Sequence, residues 1–323
     1  MVTFPTRPKT TGGENDVVRC SKPLPDARPM QRTVFVLFAA VILTVGCAPF
    51  AMSNHMINAD PDRVVAAIGS HDVVLLGEVH DNVGQHALRA QVLRRWIQRG
   101  ARPALLMEQF DREHQHELDR ALVQPEASVD SVIAAAGAAP TRPGQGWQWQ
   151  LYRPYVQLAI DFQLPIIAAN VSRADARRVV TDGLQALGFD PNVPADIAQA
   201  QSREIVESHC GQLNSSDGLR LMAAQVARDQ FMARAIEGAA PRATVLLAGN
   251  GHIRSDIGVP RWLSPATRLR SVAIGLLEPD TASERARFDL SVKTPAQSRP
   301  DPCDAMRGAA SSVSARNPGP LSQ

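Results

Sequence analysis

Five short apolar runs, separated by segments of helix length, constrain the fold of this chain more than any other feature. Each run is bounded by charge, glycine or proline, which is typical of strands buried on both faces of a parallel sheet. Between the first two runs, residues 85–99 place apolar side chains at helical spacing and end before Gly100. This alternation predicts an α/β fold in which helices flank a largely parallel sheet. The predicted strands are 72–77, 103–107, 165–169, 244–248 and 268–276.

Two regions, about 111–155 and 191–239, contain more helical sequence than crossovers between strands need. We expect them to form a small helical subdomain over one edge of the sheet. The whole domain is expected to cover 59–292, beginning with a helix that Asp60 caps and Pro61 starts. Residues 293–323 are rich in proline, serine, alanine and arginine, which predicts a disordered tail.

Residues 34–46 form an apolar run without charge or proline. A helix of this length spans about 20 Å, less than a hydrocarbon core of about 30 Å, so the run is too short to cross a membrane. Arginines precede the run and Gly46 closes it, which indicates a signal peptide over 30–46. Cys47 then follows as in bacterial lipoproteins, in which this cysteine is lipidated and becomes the new N-terminus. Plain secretion with an incidental cysteine is the alternative.

Met30 is the expected translation start, since residues 1–29 are proline-rich and read as upstream sequence. Residues 47–58 then form a tether between the lipid and the domain. A lipid on Cys47 places the protein in the bacterial cell envelope, and the absence of aspartate after Cys47 favours the outer membrane. The net charge is only +2 and no basic stripe is present, so we expect no nucleic-acid partner.

Cys210 and Cys303 are the two remaining cysteines of the exported chain. Cysteines often pair in an oxidising compartment, so we expect a disulfide that pins the C-terminal segment. Two unpaired thiols are the alternative.

Polar side chains follow the predicted strands at their carboxyl ends, where an open α/β sheet binds its ligands. Residues two apart in extended chain point to the same side, so Glu78 and His80 are expected to converge, as are Asn250 and His252. Imidazole and carboxylate groups suit a divalent metal or general acid–base chemistry. The candidate residues at this rim are Glu78, His80, Glu108 and His252, with Asn170, Asn250, Arg254 and Asp256 in support.

The order of these motifs resembles the ChaN-like haem-binding lipoproteins of the Tiki/TraB/erythromycin-esterase superfamily. The resemblance runs from about residue 73 to 260, and its motifs are weak singly but more specific together. It implies a surface lipoprotein with a parallel sheet and a small helical domain, and it leaves a homodimer open. The motifs are GEVH at 77–80, MEQF at 107–110, WQLYRP at 149–154, AAN at 168–170, HCG at 209–211 and GNGH at 249–252.

The resemblance implies haem as cofactor, held by a tyrosine with histidine near the propionates. Tyr152 matches the family motif, and a phenolate is a known axial ligand of haem iron. Trp149 and Arg153 would then pack on the porphyrin and pair with a propionate. The alternative is that Tyr152 and the neighbouring tryptophans are core residues. His209 is a second candidate for ligand contact. The alternative is that His209 only ends a helix beside the disulfide.

Two functions therefore compete. The first is a membrane-anchored lipoprotein that binds haem for iron uptake. The second is a metal-dependent hydrolase, in which His80, Glu108 and His252 hold Mn, Co or Zn and Glu78 activates water. A third reading is that the rim only braces the fold.

Overall fold

The computed structural model describes residues 55–137, 146–279, 287–301 and 303–304. Its strands are β1 His55–Asn58, β2 Val73–Leu76, β3 Ala104–Asp111, β4 Ile166–Asn170, β5 Thr244–Leu247, β6 Ser271–Leu277 and β7 Leu290–Lys293. They form one seven-stranded sheet in the order β1-β7-β6-β2-β5-β3-β4, and these pairings are all parallel. The predicted α/β fold is confirmed.

The five predicted strands correspond to β2 through β6, whereas β1 and β7 were missed. β1 lies within the segment 47–58, so the prediction of a tether is wrong for its last residues. Both missed strands have four residues and occupy the two outer positions on one side of the sheet. Unlike β2 and β5, which are equally short, β1 and β7 lack the continuous apolar run that marks a buried strand.

Ten helices accompany the strands within the described residues. The first begins as predicted, because Asp60 accepts backbone N–H groups at its start and Pro61 is its first residue. The helices are α1 Pro61–Ile68, α2 Val83–Gln98, α3 Gln115–Leu122, α4 Val129–Ala135, α5 Trp149–Asp161, α6 Arg173–Asp182, α7 Ala195–Ser208, α8 Ser215–Gly238, α9 Asn250–Ile253 and α10 Pro265–Leu269.

Side chains of the central strands alternate between two cores, one on each face of the sheet. Val74 and Leu76 of β2 pack in the core formed with α1, α2 and α5. Val73 and Leu75 pack on the opposite face, against Met232 of α8. Because helices bury both faces, the carboxyl edge of the sheet is the part that remains open to a ligand.

A third core lies among α6, α7 and α8, where Val179, Ile197 and Val226 pack together. This core corresponds to the predicted helical region 191–239. The other predicted region, 111–155, does not join it, because Leu118 of α3 and Val132 of α4 pack into the main core beside the sheet. The expectation of one shared helical subdomain is therefore corrected for that region.

The chain after β7 is held against the domain instead of forming the predicted tail from residue 293. Arg299 donates to Asp81 at 2.9 Å and to Glu278 at 2.8 Å. The hydrogen bonds from Arg299 hold the pKa of Glu278 down at about 2. Beyond them a disulfide joins Cys303 to Cys210, just after α7. The rest of the predicted tail, 305–323, lies outside the described residues.

Within the described ranges, every helix is too short or too polar to cross a bilayer. The predicted start at Met30, the upstream segment 1–29, the signal peptide 30–46 and the lipid site Cys47 all lie outside those ranges.

We predict that Cys303→Ser lowers the free energy of unfolding of the mature domain by about 2–4 kcal/mol. The disulfide closes a loop across a sequence separation of 93 residues, so it removes much conformational freedom from the unfolded chain. Urea unfolding of the oxidised proteins measures the difference. Ser298→Ala, an exposed change in the same segment, is the control. Equal stability of Cys303→Ser and wild type would contradict the prediction.

Candidate functional site

The candidate site lies where four neighbouring strands end at the carboxyl edge of the sheet. β2, β5, β3 and β4 are adjacent in that order. Their ends therefore bring Glu78, Glu108, Asn170 and the 249–252 motif to one rim, as the sequence predicted. Gly77 allows this close approach, since a Cβ atom there would lie 2.2 Å from Asn250 Oδ1.

The carboxylate of Glu78 is fully buried beneath the rim. Its Oε2 contacts the guanidinium of Arg89 from α2, and neither side chain is exposed to solvent. Its Oε1 accepts a hydrogen bond of 2.7 Å from the hydroxyl of Tyr152 on α5. Both carboxylate oxygens of Glu78 are therefore engaged within the protein, where they position Arg89 and Tyr152. The role of Glu78 in activating water stays a prediction.

His80 connects this buried carboxylate to the open cleft. Its Nδ1 lies 2.9 Å from Glu78 Oε1, and because a carboxylate only accepts, Nδ1 carries the proton. The other ring nitrogen, Nε2, has no hydrogen-bond partner among the described residues and lies 4.0 Å from Glu108 Oε1. The His80 side chain is 46% exposed. The edge of Trp147 packs against the ring, with centroids 5.0 Å apart.

His252 forms a second histidine–carboxylate pair on the opposite side of Glu108. Its Nδ1 donates to Asp229 of α8 at 2.6 Å, and its Nε2 lies 3.6 Å from Glu108 Oε1. The prediction that Asn250 and His252 converge is wrong, because 250–253 is the short helix α9 and not extended chain. Asn250 instead donates to the backbone of Leu276 at 2.7 Å.

Glu108 lies between the two histidines and is buried. Its Oε2 accepts the backbone N–H of Gly249 at 2.8 Å. Burial alone would raise its pKa, but the charges of His252 and His80 and the N–H of Gly249 lower the pKa below its usual range. Burial alone would likewise lower the pKa of His252, but Glu108 and Asp229 outweigh it and raise that pKa. Glu108 is therefore favoured as a carboxylate, and His252 is favoured as an imidazolium.

Two cavities open on either side of these histidines, and both are lined by His80, His252 and Gln225. The first, which we call the apolar cavity, contains about 410 Å³ and has Val79, Ile205 and Ile257 in its walls. The second, the arginine cavity, contains about 450 Å³. Both fall in the size range of small-molecule sites. Arg173, Arg228, Trp147, Asn170, Glu108 and Asp111 line the arginine cavity.

The predicted supporting residues hold the rim together. Asn170 donates to the backbone oxygen of Glu108 at 2.9 Å and accepts from the N–H of Val171. Arg254 is buried and pairs with Asp256 at 2.6 Å and with Glu204 of α7. The Arg254–Glu204 contact connects the wall of the apolar cavity to the segment that follows α9.

Trp149 and Tyr152, predicted to hold haem, lie edge to face with centroids 6.2 Å apart, but each of the predicted residues is engaged by other side chains. Tyr152 is only 1% exposed, its hydroxyl is bound to Glu78, and burial raises the pKa of that hydroxyl well above the ordinary value. Arg153 pairs with Asp130 at 2.5 Å, and Trp149 stacks on Phe110 with centroids 5.4 Å apart.

In this structure the Tyr152 hydroxyl is therefore occupied by Glu78, and the role of Tyr152 as an iron ligand stays a prediction. His209 does lie at the surface, at the end of α7, with Nδ1 2.7 Å from the backbone oxygen of Ile205. It is not among the residues that line either cavity.

The predicted metal set of His80, Glu108 and His252 is not supported. In the part of the chain that the structure describes, no group of three or more histidine, cysteine, aspartate or glutamate side chains is arranged to hold a metal ion.

Sequence reasoning missed three charged residues of the site. Arg89 and Asp229 lie on the buried faces of α2 and α8, and Arg228 precedes Asp229. A signal was present, since Arg89 is followed at helical spacing by Val92 and Leu93. A charged residue on an apolar helix face needs a buried partner. The sequence alone does not tell which partner the fold supplies.

The fold and the rim define a class: α/β proteins that carry a ligand site at the carboxyl edge of one parallel sheet. A family model described as "Haem-binding uptake, Tiki superfamily, ChaN" matches residues 64–263, and the chain belongs to this family. The resemblance drawn from the motifs is thereby confirmed. No curated protein shows significant sequence similarity to the chain.

Three solved structures are similar to the chain at low sequence identity. ChaN of Campylobacter jejuni, in a structure described as cofacial heme binding, is 19% identical with a TM-score of 0.56, over 67% of this chain and 85% of that chain. A mutant of the erythromycin esterase EreC in its open conformation is 12% identical with a TM-score of 0.40, over 67% and 72%. The type III effector HopBA1 is 13% identical with a TM-score of 0.46, over 74% and 94%. At these identities the likeness shows the fold alone.

We predict that His252 titrates above the ordinary imidazole pKa of about 6.5 and that Asp229→Asn lowers its pKa. Removing the negative charge of Asp229 removes one of the two groups that favour the imidazolium. The ring proton signals in an NMR pH titration measure the pKa, with assignment by loss of the His252 signal in His252→Gln. Asp217→Asn, in the first turn of the same helix, is the control. An unchanged His252 pKa in Asp229→Asn would refute this electrostatic account.

Proposed function

We propose that the protein binds haem in the cleft between the two cavities, with His80 as the iron ligand. The observation that carries this proposal is the state of the His80 ring. Nδ1 is bound to the buried Glu78, and in the described part of the chain Nε2 has no hydrogen-bond partner and lies in a half-open cleft. Membership of the haem-binding family supports haem as the ligand.

The residues present fit the chemical requirements of haem. Iron needs a ligand with a free lone pair, which Nε2 of His80 offers. A carboxylate on Nδ1 fixes the ring orientation and makes the other nitrogen more basic, as second-shell carboxylates do for metal-bound histidines. Val79, Ile205 and Ile257 offer apolar walls for a porphyrin. When bound, haem would supply the redox-active iron that is to be taken up.

His80 meets these requirements better than the residues first proposed. Tyr152 is closed off by Glu78, and His209 lies outside the walls of both cavities. Trp147, which packs on His80, takes the aromatic role first proposed for Trp149.

The proposal extends to location and use. A lipid on Cys47 would anchor the protein in the bacterial cell envelope, with the outer membrane favoured, and haem capture there would serve iron uptake. The lipoprotein signal over 30–47 supports the anchor. The proposal includes a homodimer in which two such clefts would face each other.

We predict that the mature domain binds hemin in a saturable titration and that His80→Ala weakens binding at least tenfold. Loss of the imidazole removes the proposed iron bond, so the Soret band of the bound form shifts as well. His116→Ala, an exposed histidine on α3, is the matched control and keeps the wild-type spectrum. Unchanged affinity and spectrum in His80→Ala would refute the ligand assignment, and the same titration of Tyr152→Phe and His209→Ala would then locate the ligand.

General acid–base hydrolysis is a second candidate function, favoured by one observation. Two histidine–carboxylate pairs, Glu78–His80 and Asp229–His252, converge on Glu108. Such pairs orient a histidine for proton transfer near neutral pH. The exposed His80 and the carboxylate of Glu108 would be the groups nearest to a substrate in the cleft.

Under this reading, wild type hydrolyses some member of a panel of esters and lactones, and His252→Gln lowers the rate by about 10²-fold or more. Ser298→Ala, an exposed change outside both cavities, retains the rate and serves as control. Hydrolysis that is absent from wild type, or that survives unchanged in His252→Gln, would end this second candidate.

A further inference from the structure

The arginine cavity contains two cations that have no ion-pair partner among the residues the structure describes. Arg173 begins α6 and Arg228 lies in α8, and both line this cavity. Among the described residues, neither guanidinium has a carboxylate within 4.0 Å, and Arg228 has only a long contact of 3.4 Å to Gln225. Other arginines near the rim are paired, as Arg89 is with Glu78 and Arg254 is with Asp256.

Burial makes this arrangement costly unless a ligand completes it. Arg228 is partly buried, and its desolvation lowers its pKa despite the nearby charges of Glu108, Asp229 and Asp111. A guanidinium stays protonated in proteins, so Arg228 remains a poorly solvated cation. A buried charge is stable when an opposite charge and hydrogen bonds satisfy it.

The carboxylates that line the cavity are otherwise engaged. Glu108 is bound by Gly249 and faces His252. Asp111 is then the remaining lining carboxylate for two arginines; burial and Glu113 raise its pKa, while Arg228 and Arg173 lower it. The cations of the cavity therefore exceed the negative charge available to them.

We propose that the arginine cavity binds a carboxylate group between Arg173 and Arg228, beside the ring of Trp147. Guanidinium groups bind carboxylates with two parallel hydrogen bonds, and such bonds are strong when they are partly desolvated. This inference rests on the proposed function and deepens it, because haem carries two propionate carboxylates. His80 lines both cavities, so a ligand held at His80 borders the apolar cavity and the arginine cavity.

The carboxylate belongs either to a haem propionate or to a separate organic acid, and the experiment separates these two sources. Hemin and hemin dimethyl ester share the iron and the ring, but the ester has no free carboxylate. Each is titrated into wild type, Arg228→Gln and Arg173→Gln, followed by visible absorbance. Arg177→Gln, one turn along α6 from Arg173 and exposed, is the matched control. Thermal melting monitored by circular dichroism verifies that each variant is folded.

Wild type is expected to bind hemin about tenfold or more tightly than the ester, as expected for a charge-assisted hydrogen bond. Arg228→Gln and Arg173→Gln are expected to lose this preference while still binding the ester, and Arg177→Gln keeps it. A preference that is absent from wild type, or that persists in both cavity variants, overturns haem propionate as the occupant. If Arg228→Gln does not fold, the exposed Arg173→Gln decides alone.

A titration with succinate, followed by tryptophan fluorescence, distinguishes failure of this inference from failure of haem binding. Saturable binding to wild type that Arg228→Gln loses, in the absence of any hemin binding, supports a carboxylate site whose ligand is a separate acid. Loss of both hemin and succinate binding from wild type overturns the carboxylate site as well as the haem proposal.

Discussion

The buried contact between Glu78 and Arg89 is the interaction on which the site depends. Neither side chain reaches solvent, so each charge is stable only in the presence of the other. Because Arg89 belongs to α2 and Tyr152, which also binds Glu78, belongs to α5, the contact fixes two helices to the end of β2. The same carboxylate then orients the ring of His80. Glu78, which is not itself proposed to bind ligand, thereby determines which nitrogen of His80 faces the cleft.

The second histidine repeats this arrangement from the other side. Asp229 comes from α8, a helix that packs both on the sheet and in the separate core with α6 and α7. Its bond to His252 therefore connects the helical wall of the apolar cavity to the rim. Glu108 lies near both histidines and is buried, so charges interact more strongly there than in water. Similar chemistry at the two histidines explains why one rim supports both a binding and a hydrolytic proposal.

Much of this architecture was predictable from the sequence, and the exceptions have physical reasons. The strands that carry the site are buried on both faces and form continuous apolar runs, so they were recognised, and their polar ends identified the rim. β1 and β7 are four-residue strands without such runs. Asn250 was misplaced because a single helical turn leaves no periodic pattern. For Tyr152 the family motif left open whether its hydroxyl faces a cavity or a buried carboxylate, and the fold places it against Glu78.

A crystal structure of the hemin complex distinguishes haem held by His80 from every other mode of binding. We expect iron on Nε2 of His80, the porphyrin against Val79, Ile205 and Ile257, and a propionate between Arg173 and Arg228. Iron bound to Tyr152 or His209, or haem located away from the carboxyl edge of the sheet, would contradict this expectation.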